Sequence, residues 1–139
     1  MRKIYFRGKT KDEEWVYGGI MPVLNMRTGQ IDQYIIITEL PPHLIYINNK
    51  TLGQYSECND KNARRIYEGD IVKTCAFGKL IGSTCLDCSA EDIFIVKYDN
   101  GFVLENKERK YSLTKDVISL EIIGNIFDDK DKMEEWGLI

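Results

Sequence analysis

Histidine is almost missing from this chain: of 139 residues, only His43 carries an imidazole. A serine or cysteine nucleophile is activated by an adjacent base, most often histidine, and zinc sites draw on the same side chain. His43 directly follows Pro41-Pro42, so a loop residue beside a bend is the plainer reading. No Gly-x-Ser-x-Gly, Gly-rich phosphate loop or His-x-x-x-His pair is present, so serine-type and metal-hydrolase chemistry lack their parts. Long hydrophobic runs are missing too. The longest span a few residues, against the roughly 20 needed to cross a bilayer. The opening MRKIYFRGKT has charge but no apolar core and does not read as a secretory signal. These absences point to a cytoplasmic protein with no membrane association, whose four cysteines are reduced thiols.

An excess of one charge is also lacking. Net charge is −3; residues 128–139 hold five acids and two bases, and residues 1–127 balance at seventeen of each. No average positive field draws a polyanion, so nucleic-acid binding needs a local patch. The dense one is Arg2, Lys3, Arg7, Lys9 and Lys11. A solvated strand edge is its simpler reading, because Lys on an edge discourages stray pairing.

What the chain does have is the composition of a folded domain, 43% hydrophobic and 29% charged, at a length suited to one core. Its patterning is β throughout. Residues 4–6 and Trp15-Val16-Tyr17 flank a polar loop and suggest a hairpin that stops at Gly18-Gly19. Residues 21–31, with Pro22 and Thr28-Gly29, read as an irregular link or a second turn. Residues 33–38 and 44–47 are strand-like on either side of Pro41-Pro42, which cannot sit in a central strand. Residues 71–75 form a strand, and residues 76–90 are the least patterned part. Residues 93–98 and 102–104 make the clearest hairpin, because Asn100-Gly101 supplies the two φ > 0 residues of a type I′ turn. Residues 105–110 are polar and exposed. Residues 120–126 read as a last strand, with Gly124 marking a bulge or a close approach. Residues 128–136 fit one or two helical turns, capped by Asp128 or Asp129, with Met133 and Trp136 on one face. So short a helix requires a surface to dock on.

The stretch 51–72, TLGQYSECNDKNARRIYEGDIV, organises the rest. It joins the polar turn Asn59-Asp60-Lys61-Asn62 to the corner Tyr67-Glu68-Gly69-Asp70, which feeds Ile71-Val72. Asp and Asn fold their own backbone into turns, and Gly supplies φ > 0. The stretch therefore reads as a structured connection into a β-strand.

That stretch and both chain ends resemble the YopX family of phage and prophage proteins. The resemblance rests on Arg2-Lys3-Ile4, Phe6-Arg7-Gly8-Lys9 and Glu14-Trp15-Val16-Tyr17-Gly18 at the start. It continues in Thr51-Leu52-Gly53-Gln54-Tyr55, Asp60-Lys61-Asn62 and Ile66-Tyr67-Glu68-Gly69-Asp70-Ile71-Val72, and closes in Ile122-Ile123-Gly124-Asn125-Ile126-Phe127. Where the family has Thr-Gly-Leu-Lys, this chain has Ser56-Glu57-Cys58-Asn59. Where the family has Asn-Gly, it has Asn62-Ala63, and the family's proline after the closing motif is missing. The resemblance implies phage origin and a mainly-β fold: an SH3-like small β-barrel with additional N-terminal strands and a short C-terminal helix. A single YopX-like domain would span 1–139, with N-terminal hairpins over 1–50, the barrel core over 51–127 and an acidic tail over 128–139. The family motif makes Gln54, Tyr55, Tyr67, Glu68, Gly69 and Asp70 interaction candidates, and it brings no catalytic residue.

Four cysteines, Cys58, Cys75, Cys85 and Cys88, include one zinc-like C-x-x-C pair, but the other two lack knuckle spacing. Ordinary thiols are the favoured reading, with no metal and no cofactor. Glu68 and Asp70 flank Gly69 and would suit acid–base or cation chemistry; a turn carboxylate accepting backbone N–H groups suits them better. Tyr55 and Tyr67 are the aromatics expected to keep a phenol at the surface. The expectation is a non-enzymatic accessory protein acting through protein contacts with itself and with a phage or host protein. A single-stranded nucleic-acid binder stands second, and a cysteine-dependent enzyme or zinc protein third.

Overall fold

The computed structural model describes residues 4–74, 92–114 and 120–139. The chain is mainly β, built of antiparallel sheets, and divides into two compact units, Met1–Tyr55 and Ser56–Ile139.

The first unit contains β1 (Phe6–Lys9), β2 (Trp15–Leu24), β3 (Ile31–Ile37), β4 (Leu44–Tyr46), a 3₁₀ turn at Asn49–Thr51 and the start of β5 (Gly53–Asn59), in the order β4-β3-β2-β1-β5. The expected first hairpin is present. Its loop is tied by the Thr10 hydroxyl, which accepts the N–H groups of Asp12 and Glu14. β2 does not stop at Gly18-Gly19, and the link expected after Met21 is a strand as far as Leu24. Two features reconcile it with its sequence. A side chain at Gly18 would run into the carbonyl of Ile37, so glycine permits the close approach of β3. β1 pairs β2 only up to Gly18, so Pro22 sits where one edge of β2 has no β1 partner. Ile36 and Ile47 are buried, and Ile47 fills the space a side chain at Gly8 would need.

In the second unit the stretch read as a connection is itself paired structure: β5 ends here and is followed in its sheet by β6 (Arg65–Tyr67). The sequence hid these strands because β5 is largely polar and β6 is only three residues long. The Ser56 hydroxyl, for example, donates to the Ile66 carbonyl and accepts the Cys58 N–H. The corner then delivers the chain to β7 (Asp70–Thr74), β8 (Asp92–Tyr98), β9 (Phe102–Glu105), β10 (Lys110–Ser112) and β11 (Glu121–Asn125), a sheet ordered β10-β9-β8-β7-β11. The hairpin at Asn100-Gly101 forms with positive φ at both residues; its loop takes three residues between Tyr98 and Phe102. Residues 107–110 are exposed as expected; the Asn106 side chain turns the chain there by accepting the N–H groups of Glu108 and Arg109, and β10 starts at the end of that segment.

One face of this sheet, Val72, Phe94, Val96 and Leu104, packs with Cys58, Ile66, Leu113 and Leu120. The other face, Ile71 and Ile95, is covered by Ile123, Ile126, Met133, Trp136 and Leu138. The tail docks, as a helix there had to, but as a 3₁₀ turn at Lys130–Lys132 rather than the expected short α-helix. The Asp129 carboxylate accepts the Asn125 N–H and makes no cap bond to the turn that follows. At Gly124 the expected bulge occurs as a register shift on β11, while the space beside it is filled by the side chains of Asp129 and Trp136 rather than by another backbone.

Among the described residues the sheet does not close into the expected SH3-like barrel. The outer edge of β11 is already occupied. Its Ile122 N–H donates to the Asp60 carboxylate, and the carbonyl of Leu120 accepts the N–H of Lys61.

Candidate functional site

The corner motif is held by backbone and carboxylate hydrogen bonds. Gly69, with φ 94, makes the turn between β6 and β7. Its N–H donates to the Val96 carbonyl and its own carbonyl accepts the Ile126 N–H. Asp70, 2% exposed, accepts the Tyr67 N–H at 2.8 Å, so its carboxylate fastens the corner as a structural aspartate does. Tyr67 was expected to keep its phenol at the surface; it is 3% exposed, drawn in with β6 as the corner folds over the sheet. Gln54 and Tyr55 fall in the first unit, where both are half-buried and the Tyr55 ring meets Tyr5 edge-on at 6.4 Å.

The basic cluster is partly assembled. β1 and β2 pair Arg7 with Tyr17 and Lys9 with Trp15, which places two cations and two rings on one face of the first unit. The Arg7 guanidinium lies 4.4 Å from the Trp15 ring centre and the Lys9 ammonium 5.6 Å from it. Arg7 is buried against that ring, where its charge gains a cation–π contact. Lys11 stands apart on the β1–β2 loop, and Arg2 and Lys3 lie outside the described residues. So do Cys75, Cys85 and Cys88, while Cys58 is buried in the second unit's core. His43 is exposed, its backbone N–H donating to the Thr38 hydroxyl at 2.9 Å, in keeping with a residue beside a bend.

A groove of about 760 Å³ runs along β4 in the first unit, at a place not singled out from the sequence. Its floor includes Val16, Ile45 and Ile47, and its rim includes Lys11, Asp12 and Glu14. Leu44 and Tyr46, 62% and 61% exposed, stand on the same strand. The available signal was the uncharged run Leu40-Pro41-Pro42-His43-Leu44-Ile45-Tyr46, which is apolar without being long enough to be a core strand.

Residues 5–134 match the family described as YopX protein. The chain belongs to the YopX family. A crystal structure of protein EF1440 from Enterococcus faecalis is similar to it in fold, with a TM-score of 0.55 and 19% sequence identity over 93% of this chain and 96% of that one. No curated protein matches the chain. Two departures from the YopX pattern have a direct structural counterpart. Glu57 and Ala63, at the places where the family carries glycine, have φ of 70 and 62. The backbone keeps the conformation glycine favours even though the side chains are no longer glycine.

Proposed function

We propose that this YopX protein is a non-catalytic accessory protein of phage or prophage origin, working inside the bacterial host cell through protein contacts and as a homo-oligomer. The observation that supports the reading is the exposed apolar side chains at and beside β4 in the first unit, Leu44 and Tyr46 on the strand and Leu40 in the loop before it. Clustered apolar surface of this kind marks a place where another macromolecule docks. No described helix is long and apolar enough to cross a membrane. The strand order of the second unit, a meander from β7 to β10 with β11 returning beside β7, is what favours an SH3-like reading of that unit. Sedimentation equilibrium at high micromolar protein tests the oligomer: a mass above one chain is expected, and a strict monomer counts against it. Affinity capture from lysogenic cells then tests for a phage or host partner.

A second reading is favoured by the face bearing Arg7, Lys9, Trp15 and Tyr17. Exposed rings beside cations are how small β-domains hold single-stranded nucleic acid. It predicts oligonucleotide binding that weakens with salt and on Lys9→Ala or Arg7→Ala. The first reading is preferred because Arg7 is buried against Trp15 instead of standing free for a phosphate.

A further inference from the structure

The free edge of β4 has a definite hydrogen-bonding parity. The Thr38 N–H donates to the His43 carbonyl and the Ile47 N–H to the Tyr34 carbonyl. By the alternation of an antiparallel ladder, His43, Ile45 and Ile47 turn their backbone groups toward β3. Leu44 and Tyr46 then point theirs away from β3; among the described residues no strand follows β4 in the sheet order, and the next residue of that parity, Asn48, donates its N–H to the Lys9 carbonyl of β1. Such an edge is usually guarded by a charged side chain, a proline within it or a bulge. β4 is short, three residues, which itself limits stray pairing, but residues 44–46 carry none of these other guards, and from Leu40 to Tyr46 there is no Lys, Arg, Asp or Glu.

We infer that this edge pairs with the same edge of a second copy of the chain. The occupant follows from self-complementarity. Two β4 strands laid antiparallel about a two-fold axis at Ile45 place Leu44 opposite Tyr46 of the other copy, twice. Both are outward-pointing residues, so each pair exchanges two backbone hydrogen bonds, and the four exposed groups on each edge are satisfied together. The same register sets an exposed leucyl side chain beside an exposed tyrosyl ring at both ends, an apolar–aromatic cross-strand contact. Nothing on the strand repels a copy of itself.

The inference rests on the oligomeric part of the reading above and names its surface. The test uses the full chain. The double variant Leu44→Lys, Tyr46→Lys places like charges opposite each other in the proposed pairs, and sedimentation equilibrium is expected to show the oligomer mass falling while circular dichroism and the thermal melt stay unchanged. Ile45→Cys supplies an independent measurement that needs no disruptive change. Residues opposite at a non-hydrogen-bonded site have Cα atoms about 4.5 Å apart, within disulfide range. Mild oxidation is expected to give a cross-linked dimer well above the background from the native cysteines. An oligomer whose mass is untouched by the lysines and which fails to cross-link through position 45 overturns this edge and leaves the oligomeric reading standing. A wild-type monomer overturns both, as does a monomer whose groove takes up an extended peptide in its place.

Discussion

The carboxylate of Asp60 accepts the backbone N–H of Ile122 at 3.2 Å, joining two points 62 residues apart in the sequence. Its other oxygen accepts the N–H groups of Asn62 and Arg64, both at 2.9 Å. The side chain therefore shapes the β5–β6 turn and holds that turn on β11 at once. Asp60 is 6% exposed, so removing the carboxylate strands three donors with little water to replace it. Hydrogen bonds to a charged acceptor are worth about 1.5–3 kcal/mol each, and Asp60→Ala should cost about 3 kcal/mol or more. Asp60→Asn keeps one carbonyl oxygen for the turn and should fall between. Urea midpoints of the three proteins check the order.

Ala63 holds φ 62 in that same turn and is exposed. A left-handed conformation costs a non-glycine residue about 1–2 kcal/mol. Glycine brings back about 0.4–1 kcal/mol of unfolded-state entropy. The strain is the larger of the two, so Ala63→Gly should stabilise the fold by about 0.5–1 kcal/mol, the reverse of the usual effect of introducing glycine. Glu57→Gly, at φ 70, is expected to move in the same direction. Thermal melts of both variants measure it.

Much of this architecture was legible. Strands alternating with turn residues announced a mainly-β chain, Asn100-Gly101 announced a hairpin, and Gly124 announced the place where the tail comes close. The strand spans of β5, β6 and β10 were not, because their pairing depends on backbone partners far along the chain and their side chains look like loop. β2 was cut short for a different reason: Gly18-Gly19 and Pro22 are breakers in isolation, and only the positions of β1 and β3 make them acceptable. Asp70 read correctly as a turn carboxylate. Asp60 was recognised as a turn residue, yet its bond to Ile122 is long-range and has no local signature. The β4 groove was missed because an edge is defined by what fails to pair, and no single segment shows that.

Acid should weaken the second unit through its exposed ion pairs. A hydrogen bond from Lys61, at 3.1 Å, with the charges of Lys61 and Lys73, holds Glu121 below its ordinary value of 4.5. The hydrogen bond and charge of Lys110 likewise hold Asp99 below 3.8. A carboxylate whose folded pKa is depressed contributes its full stability above the unfolded value and loses it as pH falls through the folded one. Lys110, raised above 10.5 by its hydrogen bond and attraction to Asp99, contributes fully below that value and loses it as pH rises further. The contribution of these pairs should therefore be level between these limits, with a shallow acid limb below about pH 4.5 that Lys61→Ala flattens and added salt reduces. Denaturation midpoints across pH, at low and high salt, check both effects.

The docking of the tail on β11 can be isolated by a pair of variants. A side chain at Gly124 would occupy the space held by the Asp129 carboxylate and the Trp136 ring. That carboxylate accepts the Asn125 N–H at 3.0 Å, so Gly124→Ala must push Asp129 off its bond or shift the tail that covers Ile71 and Ile95. Crowding a packed site in this way costs about 1–3 kcal/mol. Asp129→Ala loses the same hydrogen bond directly, at about 1–2 kcal/mol. With both changes the new methyl group enters space the carboxylate has vacated. The double variant should therefore be destabilised by less than the sum of the single ones, by about 0.5–1 kcal/mol or more. Strict additivity in urea denaturation would mean that Gly124 and Asp129 do not compete for one space, and that the tail is held on the sheet by its apolar contacts alone.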